Sequence, residues 1–579
     1  MATIGIDLGT TNSLVAVLDQ SGPRTLANEL GEHLTPSAVA LATDGTVLVG
    51  RAAKDRLISA PDSGKEFFKR DMGTAATYTF GGRTWTPTEC SAMVLREMAR
   101  IAATHLGETP TSAVISVPAY FHDSQRQATM EAAKIAGLQV ERIINEPTAA
   151  ALAFGHEHRQ KEGTLLVFDL GGGTFDVTIL EVFDGVIEVK ASGGESRLGG
   201  EDYTDALMAH VVTLLPGADP VRLRPLVEVA KRRLAAQPEA VIALGGKDVR
   251  VTREDFARCT RELTGRLRPV MRRCLRDANL QASDLDDVLL VGGASRMPMI
   301  AQVIGEDLGR LGNRTLDPDK VVALGAAVQA ALCDRQEAVQ DLVLTDVCPH
   351  TLGVAVSKRW TENGPPQDGF FSPIIDRNTL VPCSRSDRYN TMHPEQDQLE
   401  LKVYQGESRL VIENTLLGTL MVKGLRQRMG QKEPGVIDVR FSYDMNGILE
   451  VEVVIVHSGA KLTKVIESRP GGLTDDQLAA AVRRLQPLKT LPRDLLPNRA
   501  RLERANRLYP DLSGAAREGL ASRIDDFESA LDSQDPRRAQ EAAAVLDSFL
   551  AHFYHGEGEQ QPEPDPQTPQ PPYTEPTGA

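Results

Sequence analysis

The chain carries IGIDLGTTN at residues 4–12 and repeats the pattern as VFDLGGGTFD at residues 167–176. In each copy an apolar run enters an aspartate, turns through glycine and threonine, and continues as a second alternating apolar run. A helix would follow the glycine turn of a Rossmann or P-loop motif, so this continuation instead predicts two β-hairpins. One copy alone is compatible with an ordinary glycine-rich turn. Two copies indicate duplicated lobes that hold the phosphates of one nucleotide, and its metal, with backbone N–H groups and hydroxyls.

Four further motifs occur in the same part of the chain: VPAYF at 117–121, NEPTAAA at 145–151, LGGED at 198–202 and VGGASRMP at 291–298. Together with the two hairpins they resemble the ATPase domain of the seventy-kilodalton heat-shock chaperones, the DnaK family. The resemblance is specific over about the first 345 residues. The shortened middle of this region and the altered C-terminal half are most similar to the branch called HscC.

The resemblance implies an α/β fold class: a two-lobed actin-like (ribonuclease-H-like) ATPase domain, followed by a β-sandwich domain and a short α-helical lid. It implies an ATP-dependent molecular chaperone that binds extended apolar segments of unfolded or client polypeptides, with ATP hydrolysis switching peptide affinity. The alternative is a small-molecule kinase on the same actin fold, against which the roughly 230 residues after the linker argue. A non-catalytic filament or scaffold protein is a second alternative, and the intact candidate catalytic residues argue against it.

Charge and cysteine usage limit the partners and the compartment. The net charge of −15 over 579 residues argues against nucleic acid or an anionic membrane as the main partner. The six cysteines form no CxxC pair, and dispersed reduced thiols are typical of a cytosolic protein. Neither a leader segment nor an apolar run near 18 residues is recognisable in the sequence. We therefore expect a cytoplasmic protein with no nucleic-acid or membrane partner.

Changes of hydrophobic period divide the chain into five segments. The predicted segments are the nucleotide-binding ATPase domain 1–338, an interdomain linker 339–346, a β-sandwich peptide-binding domain 347–470, a helical lid 471–555 and a disordered Pro-rich acidic tail 556–579. The linker is apolar without an obvious partner, which resembles the family's interdomain linker. An edge strand is the alternative interpretation of the same residues.

Helix start and stop signals are clear at two places in the ATPase segment. One helix is predicted to begin after Asp123 as N-cap and to end at Gly137. A second helix is predicted with Pro147 in its first turn and an end at Gly155.

Later in the chain, alternating residues around the turn Asn446-Gly447 predict a β-hairpin. Thr474 and Gln477 form a capping-box pattern, and residues 475–555 are predicted to be helical. Six apolar residues in the last helix have the spacing of a bundle core: Ala539, Ala542, Leu546, Phe549, Leu550 and Phe553.

Candidate catalytic residues follow from what phosphoryl transfer to water requires, namely neutralised charge and a positioned water. Asp7 and Asp169 lie at the two turns, where their oxygens could hold a hydrated Mg²⁺ through its waters. The resemblance implies that Lys69, in the segment FFKR at 67–70, stabilises the γ-phosphate charge, and that Glu146 and Asp176 order water and metal. The candidate phosphate-binding residues around them, with Thr174 also a catalytic candidate, are Gly9, Thr10, Thr11, Asn12, Gly171, Gly172, Gly173 and Thr174. ATP or ADP and Mg²⁺, with K⁺ as a further candidate ion, are the implied cofactors.

The resemblance also implies how the base and ribose are held. Glu228 and Lys231 would reach the ribose hydroxyls, and Arg232 could lie flat over the adenine ring. Ala235 stands where the family usually has a serine, so one hydrogen bond to the base is expected to be missing. The remaining candidate nucleotide-binding residues are Gly200, Gly292, Gly293 and Arg296.

For the β domain, the resemblance implies a client-peptide site formed by Met392 and Leu399, and the linker residues Leu342 and Leu344 are implied to couple the two domains. A J-domain co-chaperone is the implied partner, with docking near Arg142, Asn145 and the linker. Only 27 residues separate Gly200 from Glu228, fewer than the DnaK pattern has there. This deletion removes part of the lobe that exchange factors grip in the family, so we expect that no exchange factor is required.

Overall fold

The computed structural model describes residues 3–158, 162–183, 185–313, 315–336, 339, 342–359, 365–426, 434–466, 496–532 and 536–554. Two compact units divide the chain, Met1–Lys489 and Thr490–Ala579. The predicted capping box at Thr474 and Gln477, the first part of the predicted lid and the predicted tail lie outside the described residues.

The first part of the large unit is an α/β segment built around one mixed sheet, here called the N-terminal sheet. Its strand order is β11-β10-β1-β2-β3, with β4 paired to β2. The strands of this segment are β1 (Ile4–Asp7), β2 (Asn12–Asp19), β3 (Gly22–Thr25), β4 (Thr35–Pro36), β5 (Ala38–Leu41), β6 (Val47–Val49), β7 (Gly64–Glu66), β8 (Tyr78–Phe80), β9 (Arg83–Trp85), β10 (Ser112–Val117) and β11 (Gln139–Asn145). Its helices are α1 (Arg51–Ser59), α2 (Pro87–Leu106), α3 (Asp123–Ala136) and α4 (Glu146–Glu157).

A second mixed sheet, here called the central sheet, follows along the chain. The strands of this segment are β12 (Gly163–Leu170), β13 (Phe175–Phe183), β14 (Val186–Glu195), β15 (Glu239–Leu244), β16 (Lys247–Thr252) and β17 (Asp287–Val291). Its helices are α5 (Gly200–Leu214), α6 (Pro220–Ala236), α7 (Arg253–Cys259), α8 (Arg261–Asp277), α9 (Pro298–Leu308) and α10 (Val321–Cys333). The central sheet begins with the order β17-β12-β13-β14.

The two sheets repeat one topology. In the N-terminal sheet, β1 pairs antiparallel with β2 and parallel with β10. In the central sheet, β12 pairs antiparallel with β13 and parallel with β17. Both sequence motifs therefore sit in β-hairpins, as their period-2 continuations predicted, and each hairpin carries its aspartate at the end of the first strand.

A shared core joins the two sheets through α4 and α10. Residues of both helices, of β10 and of β12 belong to one buried apolar cluster. The two helices cross closely at Gly325, where an added Cβ atom would lie 1.7 Å from the carbonyl oxygen of Ala149. Separate cores lie between the N-terminal sheet and α2–α3, and between the central sheet and α5–α9. Because both hairpins are anchored in these cores, their turns are held at fixed positions.

The central sheet continues across the linker into the next domain. The strands that follow are β18 (Val343–Val347), β19 (Leu352–Lys358), β20 (Gln367–Ile375), β21 (Leu380–Val381), β22 (Cys383–Asn390), β23 (Gln398–Gln405), β24 (Thr415–Lys423), β25 (Val436–Tyr443), β26 (Leu449–Ile455) and β27 (Lys461–Ile466). Strand β18 pairs parallel with β14 on one side and antiparallel with β21 on the other. Residues 343–345 of β18 pair with β14, and residues 346–347 pair with β21. An edge strand therefore stays an alternative interpretation of residues 343–345.

Two four-stranded antiparallel sheets, β20-β19-β23-β24 and β22-β25-β26-β27, enclose one apolar core. The core residues alternate along each strand: Leu449, Val451 and Val453 are buried, whereas Glu450 is exposed. The predicted hairpin at Asn446-Gly447 is present between β25 and β26, with Gly447 at a φ of 83°. These residues form a β-sandwich because the polar–apolar period matches the pleat of each strand.

The small unit contains three described helices, α11 (Leu496–Leu508), α12 (Gly514–Asp532) and α13 (Pro536–Tyr554), around a core of their own. Leu546 and Leu550, two of the six apolar residues predicted to face a bundle core, are fully buried in this core. Phe553, another of the six, is 45% exposed, so only part of the set lies in the core.

Two helix boundaries differ from prediction. Asp123 is the first residue of α3 and not its N-cap; His122 is the cap residue, and its backbone N–H donates to Gln125 at 3.0 Å. Helix α4 runs past Gly155 to Glu157, because the glycine lies inside a buried apolar segment where packing outweighs its low helix propensity. No helix in the described part of the chain is long and apolar enough to cross a membrane.

Candidate functional site

Both hairpin turns line one cavity of about 340 Å³. Eighteen of the predicted nucleotide-site residues line it: Asp7, Gly9, Thr10, Thr11, Asn12, Lys69, Glu146, Asp169, Gly171, Gly172, Thr174, Gly200, Glu228, Lys231, Arg232, Gly292, Gly293 and Arg296. Gly173 and Asp176 are not part of the cavity wall as the structure has it.

The two turns face each other directly. An added Cβ atom at Gly172 would lie 2.0 Å from Thr11 Oγ1, so a side chain at this position would push the hairpins apart. An added Cβ atom at Gly173 would lie 2.8 Å from Thr10 Cγ2. Close approach of the two turns therefore explains the glycine-rich sequence.

A buried ion pair lies on the cavity wall. Lys69 Nζ donates to Glu146 Oε1 at 2.6 Å, and the two side chains are 3% and 11% exposed. Lys69 belongs to a short helical turn, Phe68–Asp71, that begins after Phe67 in the left-handed region at φ 59°. Non-glycine residues adopt this conformation at an energetic cost, and such positions concentrate at functional sites. Glu146 is the first residue of α4, where the helix dipole favours a carboxylate.

Burial and mutual repulsion raise the pKa values of the neighbouring carboxyls. Burial first, and then the charge of Glu146, raises the pKa of Asp7 to about 7, although Ser116 donates a hydrogen bond to it at 2.8 Å. The same two causes raise the pKa of Asp176 to about 8 and that of Asp169 well above its usual range. Four carboxyl groups thus share the positive charge of Lys69, and the cluster has room for a further cation.

Two buried carboxyl oxygens support a cation site in this cluster. Among the described residues, Asp169 Oδ2 and Asp176 Oδ2 are buried without a hydrogen-bond partner, whereas Asp176 Oδ1 accepts from Tyr120 N at 3.0 Å. Hard carboxylate oxygens are the ligands that Mg²⁺ prefers. The described part of the chain has no group of three or more His, Cys, Asp or Glu side chains arranged to bind a metal directly. The sequence predicts that Asp7 and Asp169 contact Mg²⁺ through its waters. This stays a prediction, and the positions of the two carboxyl groups are compatible with it.

On the opposite wall, α6 presents an ordered cluster of charges. Glu228 accepts hydrogen bonds from Thr204 at 2.7 Å and Arg232 at 2.9 Å, and it pairs with Lys231 at 2.7 Å. Burial opposes ionisation of Glu228, but the two cations outweigh it and lower its pKa to about 2. Lys231 Nζ also donates to the Gly200 carbonyl at 2.9 Å. The cluster therefore holds charged donors and an acceptor in place at the cavity edge.

Sequence reasoning missed several residues of this wall. Asp319 lines the cavity and accepts from Arg296 at 2.8 Å, and Glu201 lines it one position after Gly200. Arg70 donates to Asp202 at 3.0 Å, which connects the Lys69 turn to the start of α5. The LGGED motif contained a signal for Glu201 and Asp202, whereas nothing local to Asp319 indicates a role.

Polar contacts connect the ATPase segment with the β-sandwich. Asn145, at the end of β11, donates to Asp346 of β18 at 2.8 Å. Arg377 makes two hydrogen bonds with Asp277 at the end of α8, at 3.0 and 2.8 Å. Leu342 is buried, and Leu344 packs against the core shared by the two mixed sheets. The structure therefore has the β-sandwich docked on the ATPase segment through the linker strand.

The predicted peptide-site residues lie on the sandwich. Leu399 is half-buried in β23 and packs against the sandwich core. Met392 is half-buried in the preceding loop, where its carbonyl oxygen accepts from Arg359 at 3.4 Å. Phe370 and Phe371, which precede this loop in the chain, are both buried. Trp360 lies outside the described residues.

Comparison with known proteins gives consistent matches. A family model described as Hsp70 protein matches residues 3–80 and 74–547. Chaperone protein DnaK of Thermotoga neapolitana is 40% identical over 490 residues, which cover 80% of each chain. Chaperone protein DnaK of Thermotoga petrophila is 39% identical over 499 residues, which cover 82% of each chain.

Proposed function

The chain belongs to the Hsp70 family and is an ATP-dependent molecular chaperone, and we propose that strand β18 carries the coupling between its ATPase site and its peptide site. The observation that supports this most strongly is the continuous sheet from β14 through β18 to β21. A small-molecule kinase, the alternative considered from sequence, is not supported. The HscC branch stays a prediction, because the matched relatives are named DnaK.

Hydrolysis is proposed to use the residues around the cavity in distinct roles. Lys69 would hold negative charge that develops on the γ-phosphate, and Glu146 keeps the lysine in place through its 2.6 Å hydrogen bond. Thr174 would donate to a phosphate oxygen, while Asp176, fixed by the Tyr120 N–H, would accept a proton or hold the attacking water. Asp7 and Asp169 would hold Mg²⁺ through its waters, and the bound ion would neutralise phosphate charge. K⁺ is a further candidate ion.

Base and ribose are proposed to bind on the α6 side. Glu228 and Lys231 are already oriented by mutual contact at 2.7 Å, so they can address the ribose hydroxyls without reorganisation. Arg232, which pairs with Glu228, is more exposed than either, and its planar guanidinium could lie flat over the adenine ring. Ala235 lines the same cavity and offers no hydroxyl.

Client binding is assigned to the sandwich, at Met392 and Leu399. An extended peptide would be held by backbone hydrogen bonds and by one apolar side chain inserted between them. With ATP bound, docking as seen here would favour fast peptide exchange, and with ADP the undocked state would hold the client. Nucleotide can shift this equilibrium only by its differential affinity for the two states.

The proposal extends to partners and compartment. A J-domain co-chaperone would dock near Arg142 and Asn145, beside the linker strand that Asn145 contacts through Asp346. Exchange would need no separate factor, because α5 and α6 follow one another after a short connection and Ala235 removes one donor to the base. A cytoplasmic location is part of the same proposal and is supported by the dispersed cysteines.

Single-turnover ATP hydrolysis, measured with and without an unfolded apolar peptide, tests the proposal. We expect hydrolysis without peptide and a faster rate with it. Peptide release should accelerate when ATP is added to the preformed complex. Hydrolysis that ignores peptide, together with peptide release that ignores ATP, would contradict coupling through β18.

A further inference from the structure

Two histidine rings meet where the β-sandwich docks on the ATPase segment. His122 precedes α3, and His350 lies between β18 and β19. Their ring centres are 4.8 Å apart with an interplanar angle of 22°, and His350 also lies 4.1 Å from the ring of Tyr120. His350 is 2% exposed. Because Tyr120 and His122 of the ATPase segment pack against it, undocking would open it to water.

Each ring makes a hydrogen bond across the interface. His350 Nε2 lies 3.3 Å from the Tyr120 carbonyl oxygen, and His122 Nδ1 lies 3.2 Å from Gln405 Oε1. Both acceptors are oxygens, so each ring needs only one N–H group to make its bond. A neutral imidazole supplies that N–H. Docking therefore requires no second proton on either ring.

The charged groups on the ATPase side make a second proton unfavourable. Arg126 of α3 lies close enough to oppose a charge on either ring. Arg273 of α8, whose guanidinium lies 5.8 Å from the Tyr120 ring centre, acts in the same direction on His350. The carboxylate of Asp123, next to His122, accepts from Gln127 at 3.3 Å.

On the described β-sandwich side, the carboxylate of Glu407 is already paired. Glu407 accepts from Arg377 at 2.8 Å and from the Thr351 N–H at 2.9 Å, so its charge is already engaged. The Cys348 thiol donates to the His350 carbonyl oxygen, and burial raises its pKa, so it stays neutral. The buried phenol of Tyr443 is likewise kept neutral by a raised pKa.

We propose that the His122–His350 contact makes docking sensitive to protons, so that acidification undocks the β-sandwich and moves the chaperone to its client-holding state while ATP is still available. The contact is specific to the docked arrangement because each ring packs against a residue of the other domain. The proposal rests on the coupling proposed above between docking and client release.

The direction of the pH effect on docking follows from the burial of the two rings. Burial lowers the pKa of both rings in the docked state, and lowers that of His350 well below its usual range. In the undocked state an exposed histidine titrates near about 6.5. Docking is therefore undiminished above that pH and is lost as the pH falls below it. Each histidine can weaken the docking equilibrium by up to about tenfold between pH 7.5 and pH 5.5.

Backbone hydrogen exchange of residues 343–347 measures docking directly, because these amides lie in the strand that joins both sheets. The full-length chain would be followed with excess ATP from pH 8.0 to pH 5.5, with rates corrected for the intrinsic pH dependence of exchange. We expect protection to fall below about pH 6.5. His122→Gln and His350→Gln should each flatten the profile, and the double variant should remove most of it.

His457→Gln is the matched control, since His457 is exposed in the turn after β26. It should keep the wild-type profile. Equal pH profiles for the wild type and the double variant would overturn the proposal. If glutamine at both positions prevented docking at pH 7.5, the second measurement below would decide.

That measurement is an NMR titration of ring-labelled histidine in the wild-type chain. We expect the pKa of His350 to be lower with ATP than with ADP, and an identical value in both would overturn the proposal. The hydrogen-exchange data separate a failure of the proposed coupling from a failure of the histidine proposal. If ATP does not change protection of residues 343–347 at pH 7.5, the proposed coupling fails; if ATP changes it but pH does not, only the histidine proposal fails.

Discussion

The bidentate contact between Arg377 and Asp277 should set how firmly the β-sandwich docks. Arg377 Nε and Nη2 donate to the two carboxylate oxygens at 3.0 and 2.8 Å, and Arg377 Nη1 donates to Glu407 at 2.8 Å. Asp277 ends α8 of the ATPase segment, whereas Arg377 follows β20 of the sandwich. Arg377→Met keeps much of the side-chain volume and removes both hydrogen bonds to Asp277.

The free energy that the Arg377–Asp277 pair contributes to docking is expected to lie between two limits. A hydrogen bond to a charged group contributes about 1.5–3 kcal/mol, whereas a fully exposed ion pair contributes only about 0.2–1 kcal/mol. The Arg377 and Asp277 side chains are 29% and 16% exposed, so solvent screens the pair in part. We therefore take about 2 kcal/mol for the pair, which corresponds to about a thirtyfold weaker docking equilibrium.

The assay is the release rate of a fluorescent peptide after ATP addition, combined with amide exchange of residues 343–347. Arg377→Met should lose most of the ATP-induced acceleration while single-turnover hydrolysis stays within about twofold, since the site itself is unchanged. Asp277→Asn should have the same effect, and the double variant should be no worse than either single change.

Arg388→Met is the matched control. Arg388 makes a similar bidentate contact with Asp438 at 2.6 and 3.0 Å, but both residues belong to the sandwich. This variant should keep ATP-induced release. The reasoning would be refuted if Arg377→Met behaved like the control, or if the effects of Arg377→Met and Asp277→Asn were additive.

Four further outcomes are expected. Lys69→Ala leaves the Glu146 carboxylate buried without its partner and should slow single-turnover hydrolysis at least a hundredfold, so normal turnover would remove the lysine from the site. Thr174→Ala should leave ATP binding intact and slow hydrolysis at least about tenfold, which rapid-quench measurements check; an unchanged rate would contradict its role. Leu344→Asp puts charge against an apolar core and should abolish peptide stimulation with basal hydrolysis retained, whereas Val343→Asp, at a position 52% exposed, should have little effect. Stopped-flow release of a fluorescent ADP should be faster than single-turnover hydrolysis and insensitive to an exchange factor, and slow, factor-accelerated release would refute this.

Much of the fold was predictable because local chemistry specifies it. The two hairpins follow from apolar alternation on both sides of an Asp-Gly-Thr turn, and the sandwich hairpin follows from Asn446-Gly447. Helix ends were less predictable. Sequence placed the cap of α3 at Asp123, but Gln125 accepts from the His122 N–H and thereby fixes the start one residue earlier. The end of α4 was set by burial, which allowed the helix to pass Gly155.

The candidate site was predictable as a set of residues, since the motifs that contain Asp7, Glu146 and Asp169 are recognisable along the chain. The raised pKa values of Asp7 and Asp169 were not predictable, because burial and the charge of Glu146 act on these two carboxyls through space. Asp319 was missed for the same reason: it reaches the cavity from the segment before α10 and pairs there with Arg296.

By itself the sequence determined the period of each strand and helix, the turns that join them and the residue types available for phosphate and metal chemistry. Only the tertiary structure decided which of these meet. Thr3 bonds to Asp334, and His122 bonds to Gln405, across separations of 331 and 283 residues. Such contacts depend on how whole sheets pack, and no short-range pattern encodes them. The pairing of β18 with both β14 and β21, and the burial of His350 between two domains, belong to this second class.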